Sequence, residues 1–150
     1  MLTKPKKSLG QNFLIDKNIL QKIVNSVSIY KNKEILEIGP GTGNLTHYLV
    51  KKNPKKIFVV EKDNELSLFL NEKFKNKINI INEDVLKISE NLISKEKLIV
   101  FGNLPYNIST KILSKWITSI NETFWFSKLI LMFQKEVADR IISKINTSNY

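Results

Sequence analysis

Five short apolar runs, separated by stretches of helical period, constrain the fold of this chain more than any other feature. The runs fall at 34–38, 57–61, 78–81, 98–101 and 128–134, each rich in Ile, Val or Leu and bounded by Asn, Lys, Gly or Pro. Their length suits strands, and their lack of polar alternation suits strands covered on both faces. Helix-like stretches lie between and after them at 45–52, 64–75, 110–120 and 135–145, with a shorter one at 85–93 and an earlier one at 17–27. In the earliest, Ile19, Ile23 and Val27 recur every four residues; in the last, Ala138, Ile141, Ile142 and Ile145 share a stripe. Apolar strands alternating with amphipathic helices predict an α/β fold, a mostly parallel sheet with helices on both faces. No linker, repeat or low-complexity tract interrupts the series, so 1–150 reads as one domain.

Composition narrows the partners less than it first suggests. No run approaches the roughly 20 apolar residues a bilayer span needs, and the basic start, Met1-Leu2-Thr3-Lys4-Pro5-Lys6-Lys7-Ser8, leads into no apolar signal segment. A cytoplasmic protein without membrane contact is expected. With no cysteine and a single histidine, His47, neither a metal centre nor thiol or Ser-His-Asp chemistry is expected. The net charge of +10 invites a polyanion. Yet of 24 basic residues only Arg140 is an arginine, and Lys, Asn and Ile abound, as an AT-rich gene would dictate for any function. Charge alone decides nothing here.

Ligands on parallel sheets bind at the carboxyl ends of the strands, and the informative residues gather there. The first strand runs into Gly39-Pro40-Gly41-Thr42-Gly43. Glycines permit a tight turn and let the backbone approach a ligand closely. The G-x-G-x-G spacing, with Glu37 before it, is not the G-x-G-x-x-G of dinucleotide sites and resembles the loop of S-adenosylmethionine (SAM)-dependent methyltransferases; an ordinary glycine-rich β–α turn is the other reading. The second strand ends in Glu61, eighteen residues after Gly43, a distance suited to a carboxylate that accepts from both ribose hydroxyls; a surface charge beside Lys62 and Asp63 is the other reading. The third ends in Asn82-Glu83-Asp84-Val85, where Asp84 suits the adenine amino group and Val85 the ring, or Asp84 caps a helix. Taken together, the three strand ends point to SAM.

The fourth strand ends in Gly102-Asn103-Leu104-Pro105-Tyr106. An exocyclic amino nitrogen on a base is a poor nucleophile, because its lone pair is delocalised into the ring. Two acceptors on its two N–H groups favour a tetrahedral nitrogen and aim the lone pair. The Asn103 side-chain oxygen and the Leu104 carbonyl are the candidate acceptors, Pro105 biasing its predecessor to an extended shape and bringing no N–H. Tyr106 offers a stacking face for an extruded base. The competing reading is a Pro-containing loop with a core tyrosine.

These segments, with Lys7-Ser8-Leu9-Gly10-Gln11-Asn12-Phe13-Leu14, Asn107-Ile108-Ser109-Thr110 and Met132-Phe133-Gln134-Lys135-Glu136-Val137-Ala138, resemble in order the KsgA/RsmA family of small-subunit ribosomal RNA adenine dimethyltransferases. The resemblance implies a Rossmann-like class I SAM-dependent methyltransferase sheet. The implied activity is two N6 methylations on each of two adjacent adenines near the 3′ end of that RNA, during ribosome biogenesis. The implied SAM contacts are Asn12, Leu14, Gly39, Gly41, Glu61, Asp84, Val85 and Asn103; residues 1–16 form a basic segment that closes over the cofactor, with Lys4, Lys6 and Lys7 placed to meet RNA phosphate. Related large-subunit adenine methyltransferases of macrolide resistance share Gln-Asn-Phe and Asn-Leu/Ile-Pro-Tyr, but the 134–138 segment favours the small-subunit family. A non-catalytic SAM- or RNA-binding fragment is the alternative of another class. The family continues with two more strands, an aromatic-and-proline motif of the base pocket and a helical C-terminal domain, and is expected to be monomeric at full length. With Tyr150 as the last residue, the expectation is a cofactor half truncated after the fifth strand, with that strand on a sheet edge.

Overall fold

The computed structural model describes residues 11–29, 31–118 and 124–143. Lys4, Lys6, Lys7, Ile120 and Ile145 lie outside them. A central strand β1 (Glu34–Ile38) is flanked by β2 (Lys56–Val60) and β4 (Leu98–Asn103), and beyond these lie β3 (Asn79–Ile81) and β5 (Phe126–Met132). The order is β3-β2-β1-β4-β5 and every pairing is parallel. Order reverses between β1 and β4, so the loops leaving those strands part and open a crevice at the carboxyl edge.

Side-chain alternation divides the core. Ile35, Ile57, Val59, Ile99 and Phe101 pack with α1 (Lys17–Asn25), α2 (Asn44–Lys51) and α3 (Asn64–Phe74). Leu36, Ile38, Val60, Leu98 and Val100 pack with α4 (Ser109–Thr118) and Val85 on the opposite face. All five residues of β1 are buried, as an apolar central strand of a parallel sheet requires. Asp16 caps α1 by accepting from the N–H groups of Asn18 and Ile19, and Asp63 caps α3 through Glu65 and Leu66. Gly43 opens α2 in the left-handed region (φ 75°), and a Cβ there would stand 2.5 Å from the Phe74 ring. Only glycine lets α3 pack so close to the loop.

Four expectations change. The stretch 85–93 is not helical: it holds a turn closed by Lys87 N–H on the Asp84 carbonyl and a 3-10 turn at Glu90–Leu92. The ammonium of Lys115, on α4, binds the carbonyls of Val85 and Ile88 at 3.0 and 2.6 Å, taking acceptors a helix would use. On α1 the buried line is Leu20 and Val24, leading to Val27, while Ile19 is 44% exposed. The stripe on α5 (Lys135–Ile142) is uncovered, with Ile141 and Ile142 exposed and no residue of the helix buried. Strand ends shift by one or two residues, β5 most of all, since Leu98 pairs with Phe126 and the chain leaves the ladder after Met132. Strand β5 is a sheet edge among the described residues, and Leu129, Ile130, Leu131 and Met132 are half-buried rather than buried. Among the described residues no helix is long and apolar enough to cross a membrane.

Candidate active site

A cleft of about 860 Å³, counting space open to solvent, lies at the carboxyl ends of β1, β2, β3 and β4. Its apolar walls are Ile38, Val60, Val85, Leu86 and Ile108; its polar groups include Glu61, Lys62, Asp84 and Asn103. Gly39 and Gly41 form part of the wall, and residues 11–13 lie against it.

Glu61 is held as an acceptor. Its Oε1 accepts from Asp63 N–H at 2.9 Å and its Oε2 from Gly41 N–H at 3.2 Å. Burial raises its carboxyl above the usual range, and those two N–H groups pull it partly back. Each oxygen keeps a lone pair for a hydroxyl donor. Asp84 sits at the other end of the cleft wall. Its Oδ1 accepts from Leu86 N–H at 2.9 Å and its Oδ2 from the Lys62 ammonium at 2.9 Å. The Leu86 N–H first, then Lys62, hold the carboxyl below its ordinary value, so it is ionised at neutral pH. Any further donor reaching Asp84 shares it with Lys62.

The Asn103–Tyr106 segment continues directly from β4. Asn103 pairs with Met132 as the last residue of the strand, so a sheet rather than a loop carries it. Pro105 and Tyr106 then use their carbonyls within the turn, accepting from Ile108 N–H and the Ser109 hydroxyl. Segment 11–14 crosses above. Asn103 Nδ2 donates to the Asn12 carbonyl at 2.7 Å, and Asn12 Nδ2 donates to the Tyr106 hydroxyl at 3.0 Å. Asn44 Nδ2 donates to the Leu14 carbonyl at 2.9 Å, and Gln11 Nε2 to Asp63 at 3.3 Å. The Phe13 ring lies where a Cβ on Gly41 would be, 2.8 Å away. Gly41 (φ 57°) therefore serves backbone shape and this contact together.

A profile of ribosomal RNA adenine dimethylases matches residues 2–150. The chain belongs to that family. It is 66% identical over all 150 residues to the ribosomal RNA small subunit methyltransferase A of Pelagibacter ubique (strain HTCC1062), covering 57% of that protein. Among solved structures it is similar to a dimethyladenosine transferase from Plasmodium falciparum, at 30% identity and TM-score 0.79, over 93% of this chain and 49% of that one. It is similar also to the 23S rRNA methyltransferase ErmE, at 26% identity and TM-score 0.71, over 86% of this chain and 50% of that one. The chain thus spans little more than half the length of the curated relative and about half of each solved one. The sheet is the Rossmann-like methyltransferase sheet of these proteins.

In this family member the cleft brings together Asn12, Gly39, Gly41, Glu61, Asp84, Val85, Asn103 and Pro105. Leu14 is absent from that lining and borders a smaller neighbouring cavity. The Leu104 side chain is buried in the core, leaving its carbonyl as the group of interest. Tyr106 is outside the lining, 38% exposed and tied to it through Asn12. Sequence reasoning missed Lys62, which partners Asp84, and Phe13, which seats on Gly41. It also missed Asp63, whose signal was present: an Asp directly before a helix is an N-cap.

Glu37 is buried beneath the glycine loop at 1% exposure, and its Oε2 and the nearby Thr46 hydroxyl are without partners among the described residues. Burial pushes the carboxyl up to about 8; Thr46 beside it pulls partly back, and the charge of Glu61 adds to the rise. The carboxyl is therefore mostly protonated at pH 7. An unfolded Glu titrates near about 4.3. The stabilisation from keeping Glu37 protonated is complete below that value and is lost as pH rises towards 8, by up to about 1.4 kcal/mol per pH unit. Urea unfolding at pH 5 and pH 8.5 should show Glu37→Gln gaining on the wild type at the higher pH. Parallel profiles would mean that the carboxyl is ionised in the folded chain.

Proposed function

We propose that this domain transfers methyl groups from SAM to N6 of adenine in ribosomal RNA, acting on two adjacent adenines near the 3′ end of the small-subunit RNA as part of ribosome biogenesis in the cytoplasm. One observation carries the reading. The acceptor pair suited to the cofactor, Glu61 and Asp84, and the base loop at Asn103 share one cleft at the switch point of the sheet. The glycine cradle, the apolar walls and the carboxylate with free lone pairs fit SAM's adenosine. SAM supplies an electrophilic methyl on a sulfonium.

The chain's own residues do the rest. Glu61 binds the ribose hydroxyls, and Val85 and Asp84 hold the cofactor's adenine. Asn103 Oδ1 and the Leu104 carbonyl accept from the two N–H groups of the target amine and aim its lone pair at the methyl. Tyr106 stacks on the base, and segment 11–14 excludes water. The target nitrogen takes the methyl, leaving the sulfur as a neutral thioether, and gives up one proton to solvent, so only one N–H remains and the second transfer proceeds with one acceptor engaged and a methyl in the place of the other hydrogen. The small-subunit RNA is favoured over large-subunit RNA because the 66% identical relative is a small-subunit enzyme by name, whereas the 23S enzyme is 26% identical.

The test has two arms. Calorimetry should find that SAM binds the 150-residue chain, and that Glu61→Ala weakens it by about 1–3 kcal/mol through lost charged hydrogen bonds; equal affinities would make Glu61 a structural carboxylate. A chimera of these residues with the remaining part of the Pelagibacter relative should place tritiated methyl on immature small subunits and not on protein-free large-subunit RNA. The reverse preference would overturn the assignment of substrate.

A further inference from the structure

We infer that the main-chain carbonyl of Asn12 is a positioning group for the reaction: it selects which face of the Asn103 amide meets the base. This rests on the reading of Asn103 as the acceptor for the target amine. A carboxamide carries a donor and an acceptor of nearly equal size on opposite sides, and a half-turn of the terminal torsion exchanges them. Only one orientation is useful, since an amine presented with NH2 meets donor against donor. A carbonyl oxygen can only accept, so the Asn103 atom 2.7 Å from the Asn12 carbonyl is the nitrogen. With Nδ2 committed there, Oδ1 is turned away from the strap and is left for the amine.

The strap that supplies this carbonyl is also the cofactor's cover. Gln11 reaches the cap of α3, Phe13 seats on the glycine loop, and the Leu14 carbonyl is held by Asn44 at the start of α2. The Asn12 side chain takes the Tyr106 hydroxyl as its acceptor, so the same residue meets the second member of the base loop. These contacts join positions 91 and 94 residues apart. Closing the strap over the cofactor therefore also arms the base acceptor, and the two events are coupled through one backbone carbonyl.

Two variants separate this from a role as acceptor alone. Asn103→Asp keeps an acceptor for the base but sets a carboxylate oxygen against the Asn12 carbonyl. Asn103→Ala removes the donor without adding repulsion. If Asn103 is only an acceptor near a sulfonium, the carboxylate should hold the cationic cofactor as well as the wild type or better. If the carbonyl sets the amide, SAM affinity measured by calorimetry on the 150-residue chain should fall in the order wild type, Asn103→Ala, Asn103→Asp, the last by on the order of tenfold or more. Amide hydrogen exchange in segment 11–14 should rise in the same order, with β1 and β4 protected as in the wild type. An affinity for Asn103→Asp at or above that of Asn103→Ala overturns the inference. Should Asn103→Asp fail to fold, Asn103→Ala decides alone, because unchanged exchange in 11–14 would show that the strap does not depend on this bond. Absence of SAM binding by the wild type would instead overturn the functional reading beneath it.

Discussion

Asn103→Ala should lower the rate of methyl transfer to adenine by roughly 10²–10³-fold, the size seen when one preorganised polar group is removed from a reacting centre. The loss falls on kcat because the Asn103 oxygen is needed most when the amine becomes tetrahedral and its N–H groups acidify. Interactions stronger in the transition state than in the ground state act on rate rather than on binding. SAM affinity should fall much less, since the strap keeps its contacts at Gln11, Phe13 and Leu14. Single-turnover transfer of tritiated methyl by the chimera, with and without the substitution, reads the two effects separately. Tyr106→Ala provides the contrast: it should raise KM for RNA through about 1–3 kcal/mol of lost stacking. Tyr106→Phe, which loses only the exposed bond from Asn12, should be mild. An Asn103→Ala enzyme working near the wild-type rate would remove the clamp from the mechanism.

How far the residues announce the structure depends on the range of the interactions involved. Strands β1, β2 and β4 are legible because burial on both faces leaves continuous apolar runs such as Ile35-Leu36 and Leu98-Ile99-Val100-Phe101. That Glu61, Asp84 and Asn103 would gather around one cleft is legible because parallel topology puts every strand end on one edge. The stretch 85–93 is not, because its shape is imposed by Lys115, some thirty residues on, whose ammonium takes two of its carbonyls. The same holds for the Asn12–Asn103 and Asn12–Tyr106 bonds, and for Lys62 on Asp84. No local pattern encodes a contact of that separation. On α1 the four-residue spacing of Ile19, Ile23 and Val27 was a true helical period, but Asp16 sets where the helix begins and the sheet selects Leu20 and Val24 from the neighbouring row.

Trp116→Ala should be the most damaging single change to stability. The ring is fully buried in the cluster of Leu36, Val100 and Ile112, and meets Trp125 edge-on at 5.5 Å. Its Nε1 donates to Glu90 Oε1 at 2.6 Å, and the same oxygen accepts from Lys115 at 2.8 Å. Truncating a buried aromatic costs about 3–5 kcal/mol, and the buried Glu90 loses one of its donors besides. A domain of this size has about 5–15 kcal/mol in all, so the variant should lose a large share of its stability and unfold at a much lower urea concentration. The damage also has a functional direction. The hub ties α4, which follows the Asn103–Tyr106 loop, to the segment that begins at Asp84 and Val85 and walls the cleft. Trp116→Phe separates the terms: most of the packing stays, only the Glu90 bond goes, and Lys115 still covers the carboxylate, so about 1–3 kcal/mol is expected. Urea unfolding of the three proteins measures both, and a Trp116→Ala chain within about 1 kcal/mol of wild type would mean that the face collapses around the gap and that this hub does not hold the cleft wall.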